Sequence, residues 1–130
     1  MFELDPRLEA DGPEINGLFD GFMVRIKQGV QYPWLVLIPK VADVSEIFDL
    51  NDEQRNQLMT VAARCGSALK QVCEADKINV ECIGNICSQL HVHIIARKED
   101  DDTWPATVWT KPFYPKEFTH LEAKLRAALV

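Results

Sequence analysis

The chain has 130 residues, 47% apolar and 26% charged, with 14 Lys and Arg against 20 Asp and Glu for a net charge of −6. That length closes one hydrophobic core without staples, so residues 1–130 read as a single domain, and the composition excludes long disorder. The acidic balance excludes nucleic acid and anionic membranes as partners, since both need a basic face, but leaves room for a small anionic ligand.

Met1 to Gly12 has neither the basic start nor the apolar core of an export signal, and no stretch approaches the roughly 18 apolar residues of a membrane span. The four cysteines, Cys65, Cys73, Cys82 and Cys87, form no C-x-x-C pair. Reduced thiols and a cytoplasmic location are therefore expected.

Residues 2–10 suggest a short helix, stopped by Asp11-Gly12-Pro13. Phe22 to Lys27 alternates as a strand, Gln28-Gly29 begins a turn, and Trp34 to Pro39 is a continuous apolar run of the kind a buried strand shows. The two strands should pair antiparallel. A long helix follows, with Asn51 as its N-cap and Asp52 and Glu53 at the positive end of the dipole. It presents Leu58, Val61, Ala62, Cys65, Leu69 and Val72 on one face. Ile78 to Ile83 is a third strand, Gly84-Asn85 a break, and Gln89 to Arg97 a fourth strand. The acidic run Glu99 to Asp102 reads as a solvated loop. From Phe118 to Val130, Leu121, Leu125 and Leu129 recur every four residues as in a terminal amphipathic helix. Antiparallel strands with a long helix inserted between strand pairs make an α+β fold.

Chemistry concentrates in the fourth strand. Alternation puts Gln89, His91, His93 and Ile95 on one face and Leu90, Val92, Ile94 and Ala96 on the other. The second set is wholly apolar and must face the core. Two imidazoles in phase are not what packing selects, because each ring brings nitrogens that need partners. One use for such a pair is nucleophilic attack on phosphorus, the second ring stabilising the charged oxygens. Another is metal ligation, although His120 is remote and no further ligand motif accompanies the pair. Trp104 and Trp109 read as aromatic caps on the sheet rather than ligand-stacking groups.

The stretch Gly84-Asn85-Ile86-Cys87-Ser88-Gln89-Leu90-His91-Val92-His93-Ile94-Ile95 resembles the signature of the histidine triad (HIT) family, His-φ-His-φ-His-φ-φ with φ apolar. Trp34 to Gln54 is similar to that family's strand and helix opening, so the resemblance spans about residues 20–100. Asp101 to Trp109 looks like a bacterial subgroup carrying Gln in place of the first His. The resemblance implies a HIT-like antiparallel sheet with one long inserted helix and a C-terminal helix, and a homodimer.

By the same resemblance, His91 is the nucleophile that becomes nucleotidylated, His93 contacts the phosphate, and Gln89 takes the first histidine's supporting place. The backbone carbonyl there orients the nucleophilic ring, and a carbonyl survives a side-chain change. The phosphate-side asparagine falls on Asn79 or Asn85. Ile86 stands where many members carry a hydroxyl, with Ser88 two residues away, and Lys27-Gln28-Gly29 replaces the region that holds the ribose acid. The implied activity is hydrolysis or transfer at the α-phosphate of nucleotide esters, anhydrides or phosphoramidates, with no metal and no cofactor. An imidazole, with its ordinary pKa of about 6.5, suits that work at neutral pH. The alternatives are a non-catalytic nucleotide-binding module and a metal-binding HIT-like protein.

Overall fold

A computed structural model describes residues 1–129. Strands β1 (Phe22–Ile26), β2 (Trp34–Pro39), β3 (Lys77–Glu81) and β4 (Val92–Arg97) form one antiparallel sheet in the order β1-β2-β4-β3. Helix α1 (Pro6–Ala10) precedes the sheet, α2 (Asp52–Cys73) carries the chain from β2 to the far edge, and α3 (Leu121–Leu129) closes it. The architecture is α+β, as the element pattern implies.

Several boundaries are tighter than the sequence suggests. α1 starts at Pro6 rather than at residue 2. Proline is tolerated at a helix start but disfavours helical geometry in the residue before it, and the Asp5 carboxylate caps the first turn through the Arg7 amide at 2.8 Å. β4 begins at Val92 rather than Gln89, because its ladder with β2 ends at Leu37↔Val92 and that with β3 at Glu81↔His93. Gln89 to His91 therefore form an extended lead-in, anchored where the Leu90 amide donates to the Val44 carbonyl at 3.0 Å. β3 spans Lys77–Glu81, not 78–83, and α3 begins at Leu121; Val130, assigned to that helix from the sequence, lies outside the described residues.

α2 is capped as its sequence demands. Asn51 and Gln54 exchange side-chain-to-backbone hydrogen bonds at 2.8 and 2.9 Å, closing a capping box. Its inner face buries Leu58, Val61, Ala62, Cys65 and Leu69 against one side of the sheet, joined by Leu90, Val92, Ile94 and Ala96 and by Leu121, Leu125 and Leu129 of α3. Each such leucine contributes about 1.5–3 kcal/mol by leaving water.

The opposite side of the sheet, which carries His93, is covered as well. Trp34, Val36, Ile38 and Ile95 pack there with Leu8, Val30, Tyr32, Cys87 and Val108. β2 and β4 are buried at every position, which explains the unbroken apolar run of β2. Gly12 lets the N-terminal segment cross this side: a Cβ there would sit 1.8 Å from the Ile26 carbonyl oxygen.

The acidic run after β4 is not simply solvated. Asp101 grips the buried Arg97 guanidinium with both oxygens, at 2.8 and 3.0 Å. Arg97 also donates to Asn79 at 2.9 Å, Thr103 at 3.1 Å and the Ala106 carbonyl at 2.9 Å. Every donor group of the fork is used, so a charge in the core is satisfied and the loop after β4 is pinned. Glu99 and Asp100 stay exposed, as expected of such a run.

Candidate active site

His91 sits at the mouth of β4, 5% exposed, beside the loop from Cys82 to Ser88. Its Nδ1 lies 2.6 Å from the Gln89 backbone carbonyl oxygen. A carbonyl only accepts, so Nδ1 carries a proton, and in the neutral ring Nε2 keeps its lone pair. This is the tautomer a nucleophile attacking through Nε2 requires. Gly84 lets the loop close on the ring: a Cβ there would stand 2.8 Å from the Cys87 carbonyl oxygen and 3.6 Å from His91 Cε1.

The His93 ring lies edge-on to that of His91, centroids 4.8 Å apart at 87°. The Trp34 indole N–H donates to His93 Nδ1 at 3.0 Å. An indole can only donate, so Nδ1 is the acceptor and Nε2 carries hydrogen, facing the Ile83 carbonyl at a long 3.4 Å. Burial pushes the His93 pKa down to about 4, and the charge His91 can carry acts in the same direction. His93 is thus a neutral N–H donor with a fixed tautomer at physiological pH.

Trp109 returns from the loop held by Arg97 and packs edge-on to both Trp34 and His93, at 5.2 and 5.4 Å. Its indole N–H is fixed by Glu81 at 2.6 Å. It caps the sheet, while Trp104 lies against the Arg97 guanidinium, 5.7 Å from its ring centroid.

A cavity of about 180 Å³ opens at His91. Asn85, Ser88 and Gln89 line it, together with Gly84, Cys82, Ser45 and Glu46. Ile86 does not: its side chain is 86% exposed, and its carbonyl accepts from Arg7 at 2.6 Å. Asn79 is on β3 opposite Ile95, its carboxamide oxygen committed to Arg97. Of the residues singled out in sequence, the structure brings Gln89, His91, His93, Asn85 and Ser88 together and leaves Asn79 and Ile86 outside. Ser45 and Glu46 escaped notice because they come from the loop after β2 and carry no motif. Trp34 reads in sequence only as core; in the sheet it pairs with Ile95, one diagonal step from His93 on the same face.

The Gln89 side chain is engaged by the N-terminal arm rather than by the His91 ring two residues on. Its carboxamide oxygen accepts from the Asp5 amide and its nitrogen donates to the Glu3 carbonyl, both at 2.8 Å. Among the described residues, no three His, Cys, Asp or Glu side chains converge to hold a metal ion.

The HIT domain family model matches residues 17–100. A histidine triad (HIT) protein from Sinorhizobium meliloti 1021 superposes at a TM-score of 0.91 with 36% identity, over 99% of this chain and 98% of that one. A histidine triad protein from Bradyrhizobium japonicum gives the same four values, and one from Marinobacter aquaeolei VT8 gives 0.90, 32%, 99% and 96%. No curated protein matches the chain.

Proposed function

Because the chain belongs to the histidine triad (HIT) family, we propose that it is a nucleotide hydrolase or nucleotidyl transferase working through a histidine-linked intermediate. The observation that carries this reading is the 2.6 Å contact from His91 Nδ1 to the Gln89 carbonyl, which leaves Nε2 free at the cavity. His91 Nε2 attacks the α-phosphorus, a nitrogen–phosphorus bond forms, and the bond to the leaving group breaks with its electron pair going to the leaving atom. Water, or an acceptor alcohol, then attacks that phosphorus and takes the nucleotidyl group, the nitrogen–phosphorus bond breaks with its electron pair returning to His91 Nε2, and the acceptor's proton is released. His93 offers its Nε2–H to a phosphate oxygen in place of the long bond to Ile83. Asn85 and Ser88 are the polar side chains we assign to the phosphate, Asn79 being held by Arg97.

The working unit is one domain over residues 1–130, acting in the cytoplasm as a homodimer. The four cysteines are free, and no helix among the described residues is long and apolar enough to cross a membrane. Support for the dimer comes from β3, an edge strand whose Val80 is 54% exposed, and from the outward Met59 of α2.

The test is steady-state turnover of adenosine phosphoramidate and a dinucleoside polyphosphate by wild type and His91→Ala, with and without EDTA. Turnover that survives EDTA and falls at least about a thousandfold in His91→Ala is expected. Nucleotide binding without turnover by the wild type turns the protein into a binding module, and EDTA-sensitive turnover points to a metal.

A further inference from the structure

We propose that Gln89 is a positioning residue that ties the N-terminal arm, residues 1–10, to the orientation of His91. One residue makes both connections. Its side chain takes the arm in a two-point clasp, accepting from the Asp5 amide and donating to the Glu3 carbonyl at 2.8 Å each. Its backbone carbonyl holds His91 Nδ1 at 2.6 Å. The clasp copies what a neighbouring strand does with its own amide and carbonyl, so Gln89 treats the arm as an extra strand. A histidine in this place could not do so, because one neutral imidazole cannot accept and donate in parallel through a single amide plane.

A third tie runs the same way, since Arg7 of α1 donates to the Ile86 carbonyl at 2.6 Å in the loop that leads to Gln89. The arm is buried on its other side, with Leu8 in the cluster beneath the sheet and Phe2 and Leu4 packed against it. Docking of the arm thus restricts the backbone at residues 86–89, and that backbone sets the His91 ring. The arm also walls a cavity of about 460 Å³ that shares Ser45, Ser88 and Gln89 with the cavity at His91. Loss of the clasp therefore reaches the site by two routes, the ring and the shared wall. The consequence for catalysis rests on the histidine-nucleophile reading given above; the clasp itself does not.

The full-length protein is compared with Gln89→Ala, Gln89→Glu and Arg7→Ala. Amide hydrogen exchange at Asp5, the 15N shifts of the His91 ring and kcat on adenosine phosphoramidate are read between about pH 5 and pH 8, where carboxyl and imidazole groups titrate. In Gln89→Ala, the Asp5 amide loses its protection, the Nδ1–H tautomer of His91 is no longer dominant, and kcat falls roughly tenfold, as for one lost hydrogen bond. Gln89→Glu behaves likewise at neutral pH, because a carboxylate cannot donate to the Glu3 carbonyl. On acidification, its neutral carboxyl can both accept and donate, and the Asp5 protection returns. Glu3, Asp5, Asp43 and Glu46 around the position favour that protonation, while Arg7 and a charged His91 oppose it. Arg7→Ala, which leaves Gln89 intact, moves all three readouts in the same direction by less.

Equal Asp5 protection in wild type and Gln89→Ala overturns the clasp. A loosened arm with unchanged His91 shifts and unchanged kcat overturns the positioning role. A wild type that shows the coupled NMR changes but turns over neither substrate upholds the clasp and overturns the hydrolase reading.

Discussion

The indole nitrogen of Trp34 donates to Nδ1 of His93 across two adjacent strands, 3.0 Å apart in a buried setting. A residue that sequence places in the core thereby decides which nitrogen of a site histidine carries hydrogen. Trp34→Phe removes the donor and leaves a buried acceptor unpaired. A loss of about 1–3 kcal/mol is expected in urea unfolding, with a mixture of His93 tautomers in its 15N spectrum. An unchanged tautomer would show that Ile83 alone suffices to set it.

The lowered pKa of His93 gives stability a defined acid limb. The unfolded chain takes up a proton near the ordinary imidazole value of 6.5, the folded chain only at about 4. The folded state is therefore fully favoured above about pH 6.5 and loses stability as pH falls towards 4, by on the order of 3 kcal/mol. Urea midpoints of wild type and His93→Gln across this range test it: the variant's profile is the flatter of the two.

Gly84→Ala separates site geometry from stability. Its Cβ meets the Cys87 carbonyl oxygen at 2.8 Å, so the loop beside His91 must shift. Misplacement of a reacting group by about 1 Å costs as much as a hundredfold in rate. A kcat reduced tenfold or more, with a urea midpoint near that of wild type, is the expected result.

Arg97→Met leaves the Asp101 carboxylate, half-buried, without its cation and strips Asn79, Thr103 and the Ala106 carbonyl of a donor. Breaking a buried ion pair from one side costs about 3–5 kcal/mol. Acrylamide quenching of tryptophan fluorescence should rise at the same time, because the loop that returns Trp109 to His93 is no longer anchored.

Val80→Lys places a charge on the exposed edge of β3 without touching either histidine. On the homodimer proposed above, light scattering after size exclusion should show a dimeric wild type and a monomeric variant with the same circular dichroism. A dimer that persists in the variant locates the contact elsewhere, and a monomeric wild type overturns the proposed dimer.

The histidine strand and the helix cap were legible because both are local. A period of two sorts His91 to Ala96 into faces, and Asn51 followed by Asp52 and Glu53 marks a helix start within three residues. The β1–β2 pairing and the α+β class followed from the same periodicities, while the sheet order β1-β2-β4-β3 did not. What escaped depends on residues far apart in sequence. Asp101 looked like one of a run of solvated acids, and only the folded loop shows it gripping Arg97. The Glu3 and Asp5 contacts to Gln89 bridge 86 and 84 positions, and backbone groups at one end leave no trace in the residue type at the other. The second apolar layer was hidden for a similar reason: α1 and Val108 reach the histidine side of the sheet from opposite ends of the chain.

That separation also sets an order of events during synthesis. The arm leaves the ribosome before the sheet that covers Phe2, Leu4 and Leu8, and the amide it must find on Gln89 is 84 residues behind Asp5. At about 5–20 residues per second, the wait is roughly 4–17 s. During that interval the nascent chain exposes an apolar segment, and the histidine pair does not yet exist. The clasp closes only when the arm is met by a segment made more than eighty residues later.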